Sequence, residues 1–190
     1  MRSTAILFLL LLLAGCAGTV RQPEVARLDL GLATPVWKPS SLALDGVDIQ
    51  APSWLAGTAM QYRQLNADPH RRLAYAESRW AAPPAELIER ALSRNTPGAA
   101  GCRLSIELDE LIQVFESPQA SHVLLEARAA LLAPRSRIAI ARKSFAISQP
   151  AAGADSRGGA AATSAAVRQL GDALNAWLTP LAARCDKGNP

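Results

Sequence analysis

The chain has 190 residues, with 20 Lys and Arg against 16 Asp and Glu and a formal net charge of +4 at pH 7. Its basic residues are interspersed with acidic ones, so the mild positive charge does not indicate a nucleic-acid-binding protein. The length after the N-terminal apolar segment fits a single domain with one core.

The N-terminus carries the pattern of a secretory signal. Arg2 precedes an unbroken apolar run from Ala5 to Ala14, which is shorter than the roughly 20 residues that span a bilayer. The run ends in Leu-Ala-Gly-Cys, which resembles the bacterial lipobox and predicts removal of residues 1–15 and lipid attachment to Cys16. The alternative is an ordinary signal peptide with an incidental cysteine.

The residues after Cys16 bear on the membrane that holds the anchor. In enterobacterial lipoproteins an Asp at the next position favours retention at the inner membrane, and this chain has Ala17 there. We therefore predict attachment to the periplasmic face of the outer membrane. Residues 16–24 are predicted to form a lipidated tether, residues 25–185 a single periplasmic domain and residues 186–190 a tail.

The first half of the domain alternates apolar and polar residues, which predicts strands. The predicted strands are Val25–Leu32, Leu42–Gln50 with a bulge or turn at Asp45-Gly46, Thr58–Leu65 and Leu73–Trp80. A turn is predicted from Asn66 to Pro69.

A helix is predicted after the fourth strand. Pro83 and Pro84 are tolerated in a first helical turn, where the backbone N–H groups lack partners. Leu87, Ile88, Ala91 and Leu92 then form an apolar stripe, and the segment from Asn95 to Gly101 ends the helix.

Three further strands with short connections predict an antiparallel meander. Their expected bounds are Arg103–Phe115, Ser121–Leu132 and Ile138–Ser148. Strict alternation in the first of them puts Leu108, Ile112 and Val114 on one face. The same parity separates Glu107 and Asp109 from Glu110, which argues against a catalytic carboxylate pair.

The last predicted element is a long helix from about Ala160 to Arg184, after a Gly-rich loop from Ala151 to Gly159. Pro180 is expected to kink its final turn. The fold class predicted from these elements is α+β, an antiparallel-rich mixed β-sheet with two α-helices packed on it, the longer one C-terminal.

Two cysteines remain once Cys16 carries lipid. In an oxidising compartment the expected outcome is a disulfide between Cys102 and Cys185, worth roughly 4 kcal/mol in the chain-entropy model. The alternative is two separate buried thiols.

The sequence contains no set of residues that suggests catalysis, metal binding or a cofactor. Its two histidines, His70 and His122, have no partner at metal-ligand spacing, and Gly-x-Ser-x-Gly and phosphate-loop motifs are absent. Tyr75, Arg79 and Trp80 are residue types enriched at protein–protein contacts. Alternation would put Tyr75 and Arg79 on the face opposite Trp80, where they could serve a partner. Trp80 could equally belong to the core.

The segment from Tyr75 to Leu87, Tyr-Ala-Glu-Ser-Arg-Trp-Ala-Ala-Pro-Pro-Ala-Glu-Leu, resembles the ABC-type transport auxiliary lipoprotein family, which includes the paraquat-inducible protein C type. Similar stretches are Tyr62-Arg63, Asp68-Pro69, Cys102 to Pro118, Arg142 to Phe145 and the closing Leu170 to Leu178.

This resemblance implies a function without catalysis. Members accompany ABC transporters, with their permease and ATPase, and MCE-domain proteins that move lipids or other apolar solutes between two membranes. The lipoprotein is expected to dock the periplasmic MCE assembly at the outer membrane, and some members form homo-oligomeric rings. Two alternatives stay open: a periplasmic carrier that binds lipid in its own apolar cleft, and a periplasmic enzyme.

Overall fold

The computed structural model describes residues 24–31, 44–94 and 101–186. The predicted signal peptide, Cys16, nearly all of the tether and the last four residues lie outside the described residues.

Seven strands and three α-helices make up the described chain. The strands are β1 Ala26–Leu28, β2 Leu44–Gln50, β3 Ala59–Gln64, β4 Asp68–Trp80, β5 Cys102–Phe115, β6 Ser121–Leu132 and β7 Ala139–Pro150. The helices are α1 Pro84–Ser93, α2 Ser156–Leu178 and the short α3 Ala182–Asp186. Short 3-10 turns occur at Ser53–Leu55 and Thr179–Leu181.

All seven strands join one mixed sheet. The main path runs β1-β4-β3-β5-β6-β7, and β2 pairs with the first half of β5. Strands β5, β6 and β7 form the predicted antiparallel meander, whereas β1, β2 and β3 each make one parallel pairing. The fold therefore confirms the predicted α+β class with the longer helix C-terminal.

Helix α2 packs on the core-facing side of β6 and β7, and it buries its apolar stripe there. Val167, Leu170 and Leu174 on the helix are at most 1% exposed, as are Leu125 and Leu131 on β6. Burial of apolar area on this scale is the main favourable term in folding. The core thus lies between one face of the sheet and the helices.

Helix α1 packs near β2. It begins at Pro84, as predicted, and buries Ile88 and Leu92. Its Glu89 carboxylate accepts a hydrogen bond of 2.9 Å from the backbone N–H of Ile49. This bond satisfies a backbone donor of β2 and ties the helix to the sheet.

The element bounds differ from the predicted ones at several ends. Strand β1 is only three residues long, and β4 begins at Asp68, not Leu73, because Asp68 pairs with Gln64 in a tight hairpin. Helix α2 begins at Ser156, inside the segment predicted to be a loop. The side chain of Asp155 caps it by accepting from the N–H of Gly158 at 2.7 Å.

A register shift in β5 changes which face its second half presents. The shift lies between Leu108 and Glu110, so Leu111 and not Ile112 continues the core face. The prediction that Ile112 and Val114 share a face with Leu108 was therefore wrong, because one extra residue reverses the alternation.

Candidate functional site

The Ser78–Trp80 end of β4 lies between two other strands. It pairs in parallel with β1 on one side, and the N–H of Trp80 donates to the carbonyl of Thr58 at 2.8 Å on the other. The N–H of Ala81 donates to the carbonyl of Leu28 at 2.7 Å. The segment that carries the predicted contact residues is therefore fixed directly beside the strand that follows the tether.

An irregularity in β4 overturns the predicted arrangement of Tyr75 and Trp80. Ala59 pairs with Arg79 and Gln61 pairs with Ala74, so β4 carries more residues than β3 between these two pairs. The odd number of extra residues reverses the alternation, and Tyr75 and Trp80 line the same cavity. The expectation that they face opposite sides was wrong.

Trp80 belongs to the hydrophobic core, with 5% of its surface exposed. Tyr75 is half-buried, and its hydroxyl donates to Oε1 of Gln113 at 2.9 Å. Its ring centroid lies 4.8 Å from that of Tyr62. Burial raises the pKa of the Tyr75 hydroxyl, and the negative charge of Asp155 adds to this effect. Both aromatic side chains thus pack within the domain.

Gln113 is a buried polar residue that the alternation pattern did not indicate as a functional position. Besides accepting from Tyr75, it donates through Nε2 to Oγ of Ser121 at 2.8 Å. Gly159 of α2 makes room for it, because a Cβ at that position would lie 2.1 Å from Oε1 of Gln113. The sequence feature that could indicate its burial is a single amide inside the apolar run Leu-Ile-Gln-Val.

The cavity beside this network is small. It is lined by Tyr75, Trp80, Gln113 and Thr163 among others, and its volume is about 10 Å³. That volume holds about one water molecule. A lipid carrier would need an apolar cleft of roughly several hundred Å³, so this cavity does not support the carrier alternative.

Arg79 is the exposed member of the predicted trio. It lies in register with Arg27 across the β1–β4 pairing, and Arg27 is also exposed. Within the part of the chain that the structure describes, neither guanidinium forms an ion pair. Like charges side by side on neighbouring strands disfavour each other, so this edge of the sheet presents an unneutralised pair of cations.

The carboxylates on the outer face of β5 are paired with arginines. Arg128 donates to both oxygens of Asp109 at 2.9 and 2.7 Å, which lowers the pKa of that carboxyl, and it also contacts Glu107 at 2.7 Å. The register shift places Glu110 opposite Glu126, on this same face, so the predicted separation by parity was wrong. Arg72 binds both oxygens of Glu110, at 3.0 and 2.5 Å.

The start of β5 carries a covalent link to the C-terminal helix. Cys102 and Cys185 form a disulfide with Cα atoms 5.5 Å apart, and both residues are buried. This is the pairing expected from the sequence, and it fixes α3 beside the sheet.

The described residues, 24–31, 44–94 and 101–186, contain neither a metal site nor a membrane-spanning helix. No three His, Cys, Asp or Glu side chains among them lie close enough together to hold a metal ion. Within the same ranges, no helix has the length and apolar character needed to span a bilayer.

Comparisons with known proteins identify relatives of this fold. The family model described as "ABC-type transport auxiliary lipoprotein component" matches residues 34–175. The crystal structure of protein XCC0632 from Xanthomonas campestris, of family DUF330, superposes with a TM-score of 0.62 at 19% identity, covering 83% of this chain and 92% of that one.

A second crystal structure, of a protein titled only as uncharacterized, gives a TM-score of 0.57 at 10% identity, with 82% of this chain and 99% of that one covered. At these identities the two structures establish the fold alone. No curated protein matches this chain.

Proposed function

Since the chain belongs to the family of ABC-type transport auxiliary lipoprotein components, we propose that it is a lipid-anchored periplasmic accessory subunit of an MCE/ABC-type transport system. In this role it docks the periplasmic part of the transporter at the outer membrane, while lipid or another apolar solute moves between the two membranes. The family match across most of the chain is the observation that carries this proposal.

The N-terminal sequence supports the anchored position. Strand β1 begins at Ala26, shortly after the predicted lipid on Cys16. A fully extended segment of that length spans at most about 30–35 Å. The anchor therefore keeps the domain close to the membrane surface, where an accessory subunit can hold a partner that reaches across the periplasm.

The geometry assigns different roles to the three predicted contact residues. Tyr75 and Trp80 pack into the domain, so we propose that they position β4 and do not touch a partner. Arg79 is exposed beside Arg27, and we propose it as a contact residue. An ion pair at such an exposed site contributes modestly, about 0.2–1 kcal/mol.

The proposal is tested by chemical crosslinking in intact cells that express the tagged full-length chain, followed by purification and mass spectrometry. We expect recovery of an MCE-domain protein together with an ABC permease or ATPase. Recovery of none of these components would overturn the proposed function. The Cys16→Ser chain serves as the control, because loss of the anchor should deplete the crosslinked complex. The native mass of the purified chain would show whether copies assemble into a ring.

A further inference from the structure

The turn between β6 and β7 has a fixed backbone. We call Ala133–Ile138 the hairpin tip. The N–H of Ala133 donates to the carbonyl of Ile138 at 2.9 Å, and the N–H of Ser136 donates to the carbonyl of Ala133 at 3.1 Å. The hydroxyl of Ser136 accepts from the N–H of Ile138 at 3.1 Å. The tip therefore presents its side chains from a defined scaffold.

The hairpin tip exposes an apolar side chain among cations. Ile138 is 73% exposed, the largest value among the exposed large apolar residues of the described chain. Arg135 and Arg137 precede it in the tip and are exposed, and Arg142 and Lys143 follow at the start of β7, also exposed. Within the described ranges, none of these four cations forms an ion pair.

The local charge around the tip is strongly unbalanced. From residue 127 to residue 154 the sequence contains five basic residues and no Asp or Glu. Only Arg128 of the five is neutralised, by Glu107 and Asp109. The chain as a whole carries nearly balanced charge, so this concentration of cations is a local feature that attracts an acidic surface.

The hairpin tip lies at the opposite edge of the sheet from β1, because β1 and β7 are the two outer strands of the main path. Strand β5 is parallel to β3, β3 is antiparallel to β4, and β1 is parallel to β4. The tip lies beside the start of β5, where Arg103 pairs with Leu132. Five inter-strand steps separate β1 from β7, which is a lateral distance of about 24 Å at about 4.8 Å per step.

We propose that the hairpin tip docks an acidic segment of the transporter's periplasmic subunit and that Ile138 packs against an apolar side chain within that segment. The inference rests on the proposed function and names its contact surface. The exposed cations of the tip favour a partner segment of opposite charge, and the sheet edge that carries them lies away from β1, the strand that follows the predicted anchor. A symmetric contact between two copies through the tip would bring Arg135 and Arg137 of both copies together, and this like-charge repulsion disfavours self-association.

The experiment places the photocrosslinker p-benzoyl-phenylalanine at position 138 of the full-length, lipidated chain and irradiates intact cells. Mass spectrometry then identifies the crosslinked peptide. The same measurement is made with the double variant Arg135→Glu/Arg137→Glu. Its matched control is Arg71→Glu/Arg168→Glu, which makes the same change in net charge at exposed arginines away from the tip.

We expect crosslinks from position 138 to a net-negative segment of the transporter's periplasmic subunit. Charge reversal at the tip should lower their yield on the order of tenfold, while the matched control should leave it unchanged. Crosslinks to phospholipid or to a second copy, or equal yields from the two double variants, would overturn the inference. If chemical crosslinking of the wild-type chain recovers no transporter component, the proposed function itself fails. If the wild-type chain recovers a transporter component and the tip variant recovers the same amount, only the docking inference fails.

Discussion

Substitution of Gly159 by alanine should destabilise the domain, although alanine is the better helix former. The new Cβ would lie 2.1 Å from Oε1 and 2.9 Å from Cδ of Gln113, so the buried amide must move. Overpacking costs about 1–3 kcal/mol, and loss of the hydrogen bonds to Tyr75 and Ser121 adds about 1–3 kcal/mol. The higher helix propensity of alanine offsets about 1 kcal/mol of this loss. We therefore expect a net loss of about 1–5 kcal/mol in the free energy of unfolding.

A double-mutant cycle separates this clash from other effects. In a Gln113→Ala background the amide is gone, and Gly159→Ala should become neutral or stabilising by up to about 1 kcal/mol. Gly158→Ala is the control, because its Cβ would lie 2.0 Å from the backbone oxygen of Gly153 and should destabilise both backgrounds equally. The assay is urea denaturation followed by tryptophan fluorescence and far-UV circular dichroism. An equal loss from Gly159→Ala in both backgrounds would refute the reasoning.

Three further outcomes follow from the structure and sequence. Replacing Cys102 and Cys185 by serine should lower stability by about 4–5 kcal/mol in the chain-entropy model, given their separation of 83 residues; an unchanged urea midpoint with and without reductant would contradict this. The pKa of the Tyr75 hydroxyl is raised above its ordinary value of 10.0 in the folded state. The protonated hydroxyl therefore contributes to stability below pH 10.0, and this contribution is lost as the pH rises above that value. Tyr75→Phe should therefore flatten the decline of stability above that pH in urea titrations, and an unchanged decline would show that the group does not contribute. Labelled palmitate should be incorporated into the wild-type chain and not into Cys16→Ser, and equal labelling of both would exclude Cys16 as the site of acylation.

The overall fold follows from periodicity because most elements are long. The meander β5–β7 and the apolar stripe of α2 extend over many residues, so small errors at their ends do not change the class. Two cysteines besides Cys16, in a chain with a predicted export signal, also made the Cys102–Cys185 pairing the natural expectation. These features depend on local pattern and composition.

The errors arise where one strand carries extra residues relative to its neighbour. The shift after Leu108 and the irregularity between Ala74 and Arg79 each reverse the inward and outward positions. Such shifts are set by pairing with distant strands, so alternation along one segment does not reveal them. They explain why Tyr75 was placed on the wrong face and why Gln113 was not recognised as a buried residue.

The beginning of α2 was missed for a different reason. Gly158 and Gly159 have low helix propensity and indicated a loop. In the structure Gly159 lets the helix approach β5 closely, and Asp155 caps its first turn. Tertiary contact therefore outweighs propensity at the position where helix and sheet are closest.

The most direct test of the proposed role is separation of the two membranes on a density gradient after crosslinking in intact cells. We predict that the wild-type chain bands with the outer membrane and that its crosslinked species contains the MCE-domain subunit of the transporter. The Cys16→Ser chain should be absent from the outer-membrane fraction and from the crosslinked species. A wild-type chain that bands with the inner membrane, or crosslinked species without a transporter subunit, would contradict the account.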